Sequence, residues 1–98
     1  MPGIALIADD LTGAMDSGLQ FGKRGLPTLV AMSPERLPDA EVLVVDTDTR
    51  EARATEAYRR VGEVARALAG RRLYKKVDST MRGNVGYECR ALLEALRP

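Results

Sequence analysis

GIALIADD (Gly3–Asp10) is a short apolar run that ends in two acids, a pattern typical of a buried parallel strand. The next segment predicts a helix that is capped by Thr12 and runs from about Gly13 to Arg24, with Gly25 as its stop. A strand that is followed by a helix of this length pairs in parallel with the next strand. This stretch therefore predicts the first unit of an α/β sheet.

The rest of the chain repeats this alternation of strand and helix. Apolar runs predict three more strands, at Pro27–Met32, Val42–Val45 and Leu73–Val77, and one helical turn at Ser33–Arg36. A 3.6-residue spacing of apolar side chains predicts a helix over Glu51–Ala69 and a last helix from Val85 to the chain end. The 98 residues then form a single α/β domain. Its open, mainly parallel four-stranded sheet has helices on both faces, and the simplest strand order is 2-1-3-4.

The composition limits the chemistry of this domain. A formal net charge of +1 with both signs interspersed does not favour nucleic acid or an anionic membrane as a partner. Cys89 is the single cysteine and histidine is absent, which excludes an internal disulfide, a Cys/His zinc site and a Ser-His-Asp triad. With no signal peptide and no run of 18 apolar residues, a cytoplasmic location is expected. Carboxylates, hydroxyls, lysines and arginines must carry any chemistry.

Polar residues are concentrated directly after three of the predicted strands. They form ADDLTGAMD (Ala8–Asp16), DTDTR (Asp46–Arg50) and KKVDSTMRGN (Lys75–Asn84). Parallel strands deliver their carboxyl ends to one edge of a sheet, so these segments are expected to converge near a crevice between strands one and three. Five side chains would line it: Asp9, Asp10, Asp46, Asp48 and Arg50. One acid after a strand is commonly a helix cap, whereas three polar segments at one edge predict a site.

The two lysines of strand four are predicted to have different roles. Strand alternation places Lys76 on the face of Tyr74 and Asp78, and Lys75 on the opposite face. Lys76 is therefore the expected site lysine. For Lys75 the alternative is that its side chain extends past the covering helix to solvent.

The loop after strand four contains groups that suit an anion. Ser79 and Thr80 supply hydroxyls, Arg82 supplies a guanidinium, and a helix N-terminus supplies free amides. Gly83 and Gly86 allow close backbone approach, and Asn84 can cap the last helix. The alternative is an ordinary glycine-containing turn with Arg82 in solvent.

Arg50 also has two interpretations. It either binds an oxyanion through two N–H groups or neutralises Asp46 or Asp48. Nucleotide-binding motifs are missing, because Gly22-Lys23 is followed by Arg24 and no glycine-rich dinucleotide motif follows strand one.

The polar set as a whole suits a small polyhydroxylated acid. Three carboxylates can accept hydrogen bonds from hydroxyl groups: Asp9, Asp10 and Asp78. Three cations can hold an anionic end: Arg50, Lys76 and Arg82.

Three long motifs carry a family resemblance: IADDLTGAMDSGLQFGKRG (Ile7–Gly25), VVDTDTRE (Val44–Glu51) and YKKVDSTMRGNVGYE (Tyr74–Glu88). In this order they resemble the amino-terminal sugar-binding domain of the four-carbon acid sugar kinase family, over essentially the whole chain. The resemblance implies ATP-dependent phosphorylation of an acid of the 3-oxo-tetronate, erythronate or threonate type. It also implies the residues that face the acid or shape the loop around it: Asp9, Asp10, Asp48, Arg50, Lys76, Asp78, Ser79, Arg82, Gly83 and Asn84.

Family members also have a nucleotide-binding domain that these 98 residues lack. The resemblance therefore implies ATP and Mg²⁺ for a complete enzyme, with the nucleotide-binding part in the same polypeptide or in a separate chain. Tight binding of either to this chain alone, and kinase activity by it alone, are not expected, and no metal site is assigned. In a complete enzyme, Asp10 or Asp78 would accept the proton of the substrate hydroxyl.

Two other classes of protein share some of these features. A response-regulator receiver also has paired acids after strand one, an aspartate after strand three and a lysine at a later strand end. Against it, the lysines here lie on the fourth strand and the loop at 79–84 has no role. A stand-alone ligand-binding or assembly module is the second alternative, and an unpaired sheet edge would favour a homodimer.

Overall fold

The computed structural model describes residues 3–32, 37–78 and 80–96. The strands within them are β1 (Ile4–Ala8), β2 (Thr28–Ala31), β3 (Val42–Asp46) and β4 (Arg72–Lys75). The helices are α1 (Leu11–Gly22), α2 (Ala54–Ala67) and α3 (Val85–Ala95). The helical turn predicted at 33–36 lies outside the described residues. None of the described helices is long and apolar enough to cross a membrane.

The four strands form one parallel sheet in the order β2-β3-β1-β4. The α/β class and the parallel pairing are thus confirmed, whereas the predicted order 2-1-3-4 is wrong. The buried, apolar β1 and β3 are the central strands in both orders, so the hydrophobic pattern does not distinguish them. What differs is the edge strand that each central strand takes, since β2 pairs with β3 and β4 pairs with β1. The neighbours β1 and β3 are as predicted, with Ala8 beside Asp46 at their ends.

Helices cover both faces of the sheet, as predicted. On one face, side chains of β1 and β3 pack with α1; this cluster contains Leu6, Ala8, Ala14, Val42 and Val44. On the other face they pack with α2 and α3; this cluster includes Ala5, Ile7, Leu43, Val45, Val61, Val64 and Ala91. Because α1 follows β1 on one face and α2 follows β3 on the other, the two chain segments leave the sheet edge toward opposite faces. The space between them is where the polar residues meet.

Two helix starts differ from the predictions, and both differences affect the site. The N-cap of α1 is Asp10 and not Thr12, because Asp10 Oδ1 accepts a hydrogen bond of 2.9 Å from the Gly13 amide. Helix α2 begins at Ala54 and not at Glu51. Residues 47–53 therefore remain outside any helix, and this segment carries Arg50 to the end of β1.

Candidate functional site

The segments that follow β1 and β3 are hydrogen-bonded to each other beyond the sheet. The Thr47 amide donates to the carbonyl of Ala8 (2.9 Å). The amides of Thr49 and Arg50 both donate to the carbonyl of Asp9, at 2.9 and 3.1 Å. These bonds continue the pairing of the two strands past their last residues. They fix the Arg50 backbone beside Asp9.

The Arg50 guanidinium lies among three carboxylates. Its Nη2 is 3.1 Å from Asp9 Oδ1 and 3.3 Å from Asp78 Oδ1, and its Nη1 is 3.0 Å from Asp10 Oδ2. The carboxylates of Asp9 and Asp78 are buried, whereas the Asp10 side chain is 28% exposed. The hydrogen bond to Asp9, supported by the charges of all three acids, raises the pKa of Arg50. We call these four residues the Arg50 cluster, and it draws on the segments after β1, β3 and β4.

Asp46 and Asp48 are not partners of Arg50, so the hypothesis that Arg50 neutralises one of them is wrong. Asp46 is 5% exposed, and its Oδ1 accepts a hydrogen bond of 2.8 Å from the Asp48 amide. Burial raises the pKa of Asp46, and the neighbouring acids add to this effect. Asp48 has a left-handed backbone (φ 53°) and is exposed. Its predicted contact with a ligand therefore rests on the family resemblance and not on membership of the cluster.

Asp78 joins the Arg50 cluster to the loop after β4. Its Oδ1 accepts a hydrogen bond from Arg82 Nη2 (2.8 Å), and its Oδ2 accepts from Arg82 Nε (3.0 Å) and from Thr80 Oγ1 (2.6 Å). These bonds, those from Arg82 above all, hold the pKa of Asp78 well below its usual range. The Arg82 side chain is nevertheless 66% exposed. Arg82 is thus both paired with Asp78 and accessible from solvent, and the prediction that this loop binds an anion stays a prediction.

Gly83 brings the same loop against the Arg50 cluster. Its φ of 86° is in the left-handed region, which favours glycine. A Cβ at this position would lie 2.5 Å from Asp9 Oδ2 and 3.4 Å from the Cα of Arg50. The close backbone approach predicted from the sequence is therefore present at Gly83. At Gly86 the prediction is wrong, since a Cβ there would have no heavy atom within 4 Å. The predicted site residue Ser79 lies outside the described residues.

Asn84 occupies the N-cap position of α3 but does not cap it with its side chain. Its Nδ2 instead donates to the carbonyls of Thr49 (3.1 Å) and Ala52 (2.8 Å). The capping role predicted for the Asn84 side chain is therefore wrong. Asn84 ties the start of α3 to the segment that carries Arg50.

The two lysines at the end of β4 do lie on different faces. Lys76 passes α1, with its Cγ 3.6 Å from where a Cβ on Gly13 would lie, and its Nζ donates to the carbonyl of Val77 (3.1 Å). Lys75 lies on the α3 face, where its Nζ is 3.1 Å from Glu88 Oε1. The side chain of Lys75 is 9% exposed and that of Glu88 is 1% exposed. Lys75 therefore forms a buried ion pair, and its predicted extension to solvent is wrong.

Three buried polar residues next to the site were not among the predicted site residues: Thr47, Thr49 and Glu88. For Glu88 the sequence does contain a sign of burial, because this acid comes three residues after Val85 on a helix face that is otherwise apolar. Thr47 and Thr49 lie within the predicted polar segment after β3, but nothing in the sequence showed that their side chains point inward.

The Arg50 cluster and Arg82 together offer both cations and hydrogen-bond acceptors to a ligand. In the part of the chain that the structure describes, no group of three or more acids and cysteines is arranged to hold a metal. Three acids and two arginines, Arg50 and Arg82, leave the site close to neutral, with one excess negative charge. The arginines can bind a carboxylate, and the acids can accept hydrogen bonds from hydroxyls.

The profile of a family described as the sugar-binding N-terminal domain matches residues 4–98. The chain belongs to this family. The family resemblance carried by the three sequence motifs is thereby confirmed.

Relatives of this sugar-binding N-terminal domain include kinases of four-carbon acids. D-erythronate kinase of Heliobacterium modesticaldum is 39% identical over 106 residues, which cover 100% of this chain and 24% of that protein. D-threonate kinase of Salmonella typhimurium is 38% identical over 96 residues, which cover 92% of this chain and 23% of that protein. 3-oxo-tetronate kinase of Escherichia coli is 33% identical over 103 residues, which cover 95% of this chain and 26% of that protein. The chain spans about a quarter of the length of these relatives.

A solved structure shares the fold of this sugar-binding N-terminal domain. It is a domain of unknown function from Bordetella bronchiseptica, crystallised with bound citrate as a domain-swapped dimer. Its TM-score is 0.87 at 39% sequence identity, over 96% of this chain and 26% of that chain.

Proposed function

We propose that this chain is the substrate-binding portion of an ATP-dependent kinase for a four-carbon sugar acid of the erythronate, threonate or 3-oxo-tetronate type. The observation that carries the proposal is the Arg50 cluster with the exposed Arg82 beside it, at the carboxyl end of the sheet. Kinases of these acids among the relatives support the same substrate class. Family membership gives no support to the receiver-like alternative.

The anionic end of the acid is assigned to Arg82. Its guanidinium is held in place by Asp78 and is still largely exposed. It can therefore bind a carboxylate of the ligand while its hydrogen bonds to Asp78 remain. Arg50 is less available, because its guanidinium already contacts three carboxylates. Lys76 adds a second positive charge on the α1 side of the site. Gly83 and Asn84 shape the loop that encloses this end.

Asp10 is the better of the two candidates for the base that accepts the substrate hydroxyl proton. A general base works best when its pKa is near the working pH. Asp78 does not meet this requirement, because hydrogen bonds from Arg82 hold its pKa far below the usual range. Asp10 is the acid of the Arg50 cluster that solvent reaches most easily. We therefore assign proton acceptance to Asp10 and the orientation of Arg82 to Asp78.

ATP and Mg²⁺ are assigned to protein outside this chain. The described residues do not form a metal site, and the sequence has no glycine-rich phosphate loop. The kinase relatives are about four times as long as the region they share with this chain, which leaves room for nucleotide binding elsewhere. Because the proposed reaction uses ATP, we propose that it takes place in the cytoplasm.

We further propose that the domain associates with a second copy of itself. The outer edge of β4 is unpaired in the described sheet. Leu93 on α3 and Leu96, which follows the end of α3, have side chains that are 70% and 48% exposed. The Bordetella structure is a domain-swapped dimer, which supports self-association. Sedimentation velocity over a hundredfold concentration range should show a dimer. A single monomer boundary throughout would contradict this proposal.

Titration of the ¹⁵N-labelled chain with D-erythronate, D-threonate and 3-oxo-tetronates, each with and without Mg-ATP, tests the proposed substrate. We expect the sugar acid to bind without ATP. The changes in amide chemical shift should be confined to the segments after β1, β3 and β4. Arg82→Gln should weaken this binding at least tenfold. Arg59→Gln is the matched control, because Arg59 is an exposed arginine paired with acids of α2. Absence of binding at millimolar acid, or equal loss in both variants, would contradict the proposal.

The assignment of the base is tested in a full-length kinase that contains this domain. Asp10→Asn should lower kcat by roughly 10²–10⁴ while acid binding persists, because the proton acceptor is lost. Asp78→Asn should mainly raise KM, because Arg82 loses the group that orients it. If Asp78→Asn lowers kcat and Asp10→Asn mainly raises KM, then Asp78 and not Asp10 is the base.

A further inference from the structure

A chain of buried polar groups connects the segments after β1 and β3 with α3. Thr47 Oγ1 donates to the carbonyl of Ala8 (3.1 Å) and lies 2.8 Å from Thr49 Oγ1. Thr49 Oγ1 in turn donates to Glu88 Oε2 (2.7 Å). Thr47, Thr49 and Glu88 are at most 1% exposed. These contacts lie inside the domain and touch none of the groups assigned above to the sugar acid.

The other oxygen of Glu88 extends the chain to β4. Oε1 is 3.1 Å from Lys75 Nζ, which also donates to the carbonyl of Lys76 (2.9 Å). The contact is an ion pair and not a well-directed hydrogen bond, since Oε1 has no hydrogen-bond partner among the described residues. We call Thr47, Thr49, Lys75 and Glu88 the Glu88 network. It contacts all three chain segments that form the Arg50 cluster.

Packing alone does not explain this network. Burying an ammonium and a carboxylate removes both from water, and apolar side chains of similar volume stabilise a protein interior at least as well. A buried charged pair is useful where it fixes the relative position of the elements it joins. Glu88 joins α3 to β4 through Lys75 and to the segment after β3 through Thr49.

Thr49 is the point at which the network reaches the site, because it directly precedes Arg50. Its side chain is bonded to Glu88, its carbonyl accepts from Asn84 Nδ2, and its amide donates to Asp9. The Arg50 amide donates to the same Asp9 carbonyl as the Thr49 amide (3.1 and 2.9 Å), so the two adjacent backbones are held against the end of β1 together. A small movement of Thr49 therefore changes the distances between Arg50 and its three carboxylates.

We propose that Glu88 is a positioning residue for the sugar-acid site. Through Thr49 it holds the Arg50 backbone where the guanidinium contacts the acids of the Arg50 cluster. Arg82, paired with Asp78, stays exposed beside the cluster and accessible to the ligand. The identity of the ligand rests on the proposed function, whereas the position of Arg50 can be measured without any ligand.

The Nε–Hε resonance of Arg50 reports this position, because Arg50 Nε faces Asp9 Oδ2 at 3.4 Å. Glu88→Gln and Thr49→Val should both shift it and should weaken D-threonate binding about tenfold. Thr49→Ser keeps the hydroxyl and should restore both properties. Glu94→Gln removes a carboxylate six residues further along the same helix, where it contacts Tyr58 and Arg90, and should change neither.

The outcomes separate this proposal from the proposed function. If folded Thr49→Val keeps the wild-type Arg50 resonance and the wild-type affinity, Glu88 does not position Arg50, while acid binding itself still stands. If the wild type binds no sugar acid but the resonance moves in Thr49→Val and returns in Thr49→Ser, the positioning role holds and the substrate assignment fails. If Glu88→Gln does not fold, the comparison of Thr49→Val with Thr49→Ser decides.

Discussion

Replacing Gly83 with alanine should destabilise the domain about three times as much as the same change at Gly25. Both glycines have a left-handed backbone, with φ of 86° and 79°. A Cβ at Gly25 would have no heavy atom within 4 Å, whereas a Cβ at Gly83 would lie 2.5 Å from Asp9 Oδ2. The pair therefore separates the backbone strain of an added methyl group from its collision with the Arg50 cluster.

The expected size follows from these two contributions. A left-handed alanine costs about 1 kcal/mol, and this is all that Gly25→Ala should lose. At Gly83 the Asp9 carboxylate must also move by about 0.9 Å to reach an ordinary contact distance of 3.4 Å. That movement disturbs the charge-assisted hydrogen bond of 3.1 Å between Asp9 and Arg50, and losing such a bond costs about 2 kcal/mol. We therefore expect a loss of about 3 kcal/mol for Gly83→Ala.

Urea unfolding followed by far-UV circular dichroism measures both variants on one scale. In thermal unfolding of a domain of this length, the melting temperature should fall by about 12–24 °C for Gly83→Ala and by about 4–8 °C for Gly25→Ala. In an Asp9→Ala background the extra loss at Gly83 should disappear, because the colliding oxygen is gone. Equal losses for the two glycines, or an extra loss at Gly83 that persists without Asp9, would show that collision with the Asp9 carboxylate is not the cause.

Three other predictions concern single side chains. Asn84→Ala should lower the unfolding free energy by about 1–2 kcal/mol in urea titrations, because two carbonyls lose their donor; a change below about 0.5 kcal/mol would contradict this. Asp78 has a folded-state pKa below its unfolded value of 3.8, so its ionised form favours the folded state. The stability advantage of the wild type over Asp78→Asn should thus be complete above about pH 4 and shrink as the pH falls further, and an advantage that grows in acid would oppose this sign. Hydrogen bonds from Arg59 and a neighbouring arginine lower the pKa of Glu56 to about 2, so NMR titration should find this value in the wild type and a higher one in Arg59→Gln.

The class of fold and the general place of the site follow from the amino-acid sequence alone. Apolar periodicity identified each strand and helix in the described ranges, because a strand buried on both faces and a helix buried on one have different spacings. Parallel pairing followed from the helices between the strands, and parallel strands must deliver their carboxyl ends to one edge. The polar segments that contain Asp9, Arg50 and Asp78 therefore had to meet, whatever the strand order.

The partners of the individual polar groups depend on how the elements pack in three dimensions. The hydrophobic pattern shows how deeply a strand is buried but not which strand lies beside it, so the sequence did not specify that β2 pairs with β3. Arg50 had acids close by in the sequence, yet it pairs with acids 28 to 41 residues away, because the hydrogen bonds between its segment and β1 carry it there. In the sequence, Lys75 carries no sign of a buried partner, and Glu88 differs from its surroundings only as an acid on an otherwise apolar helix face. They form a buried pair because α3 packs against the end of β4, a contact that depends on three-dimensional packing and not on any local pattern.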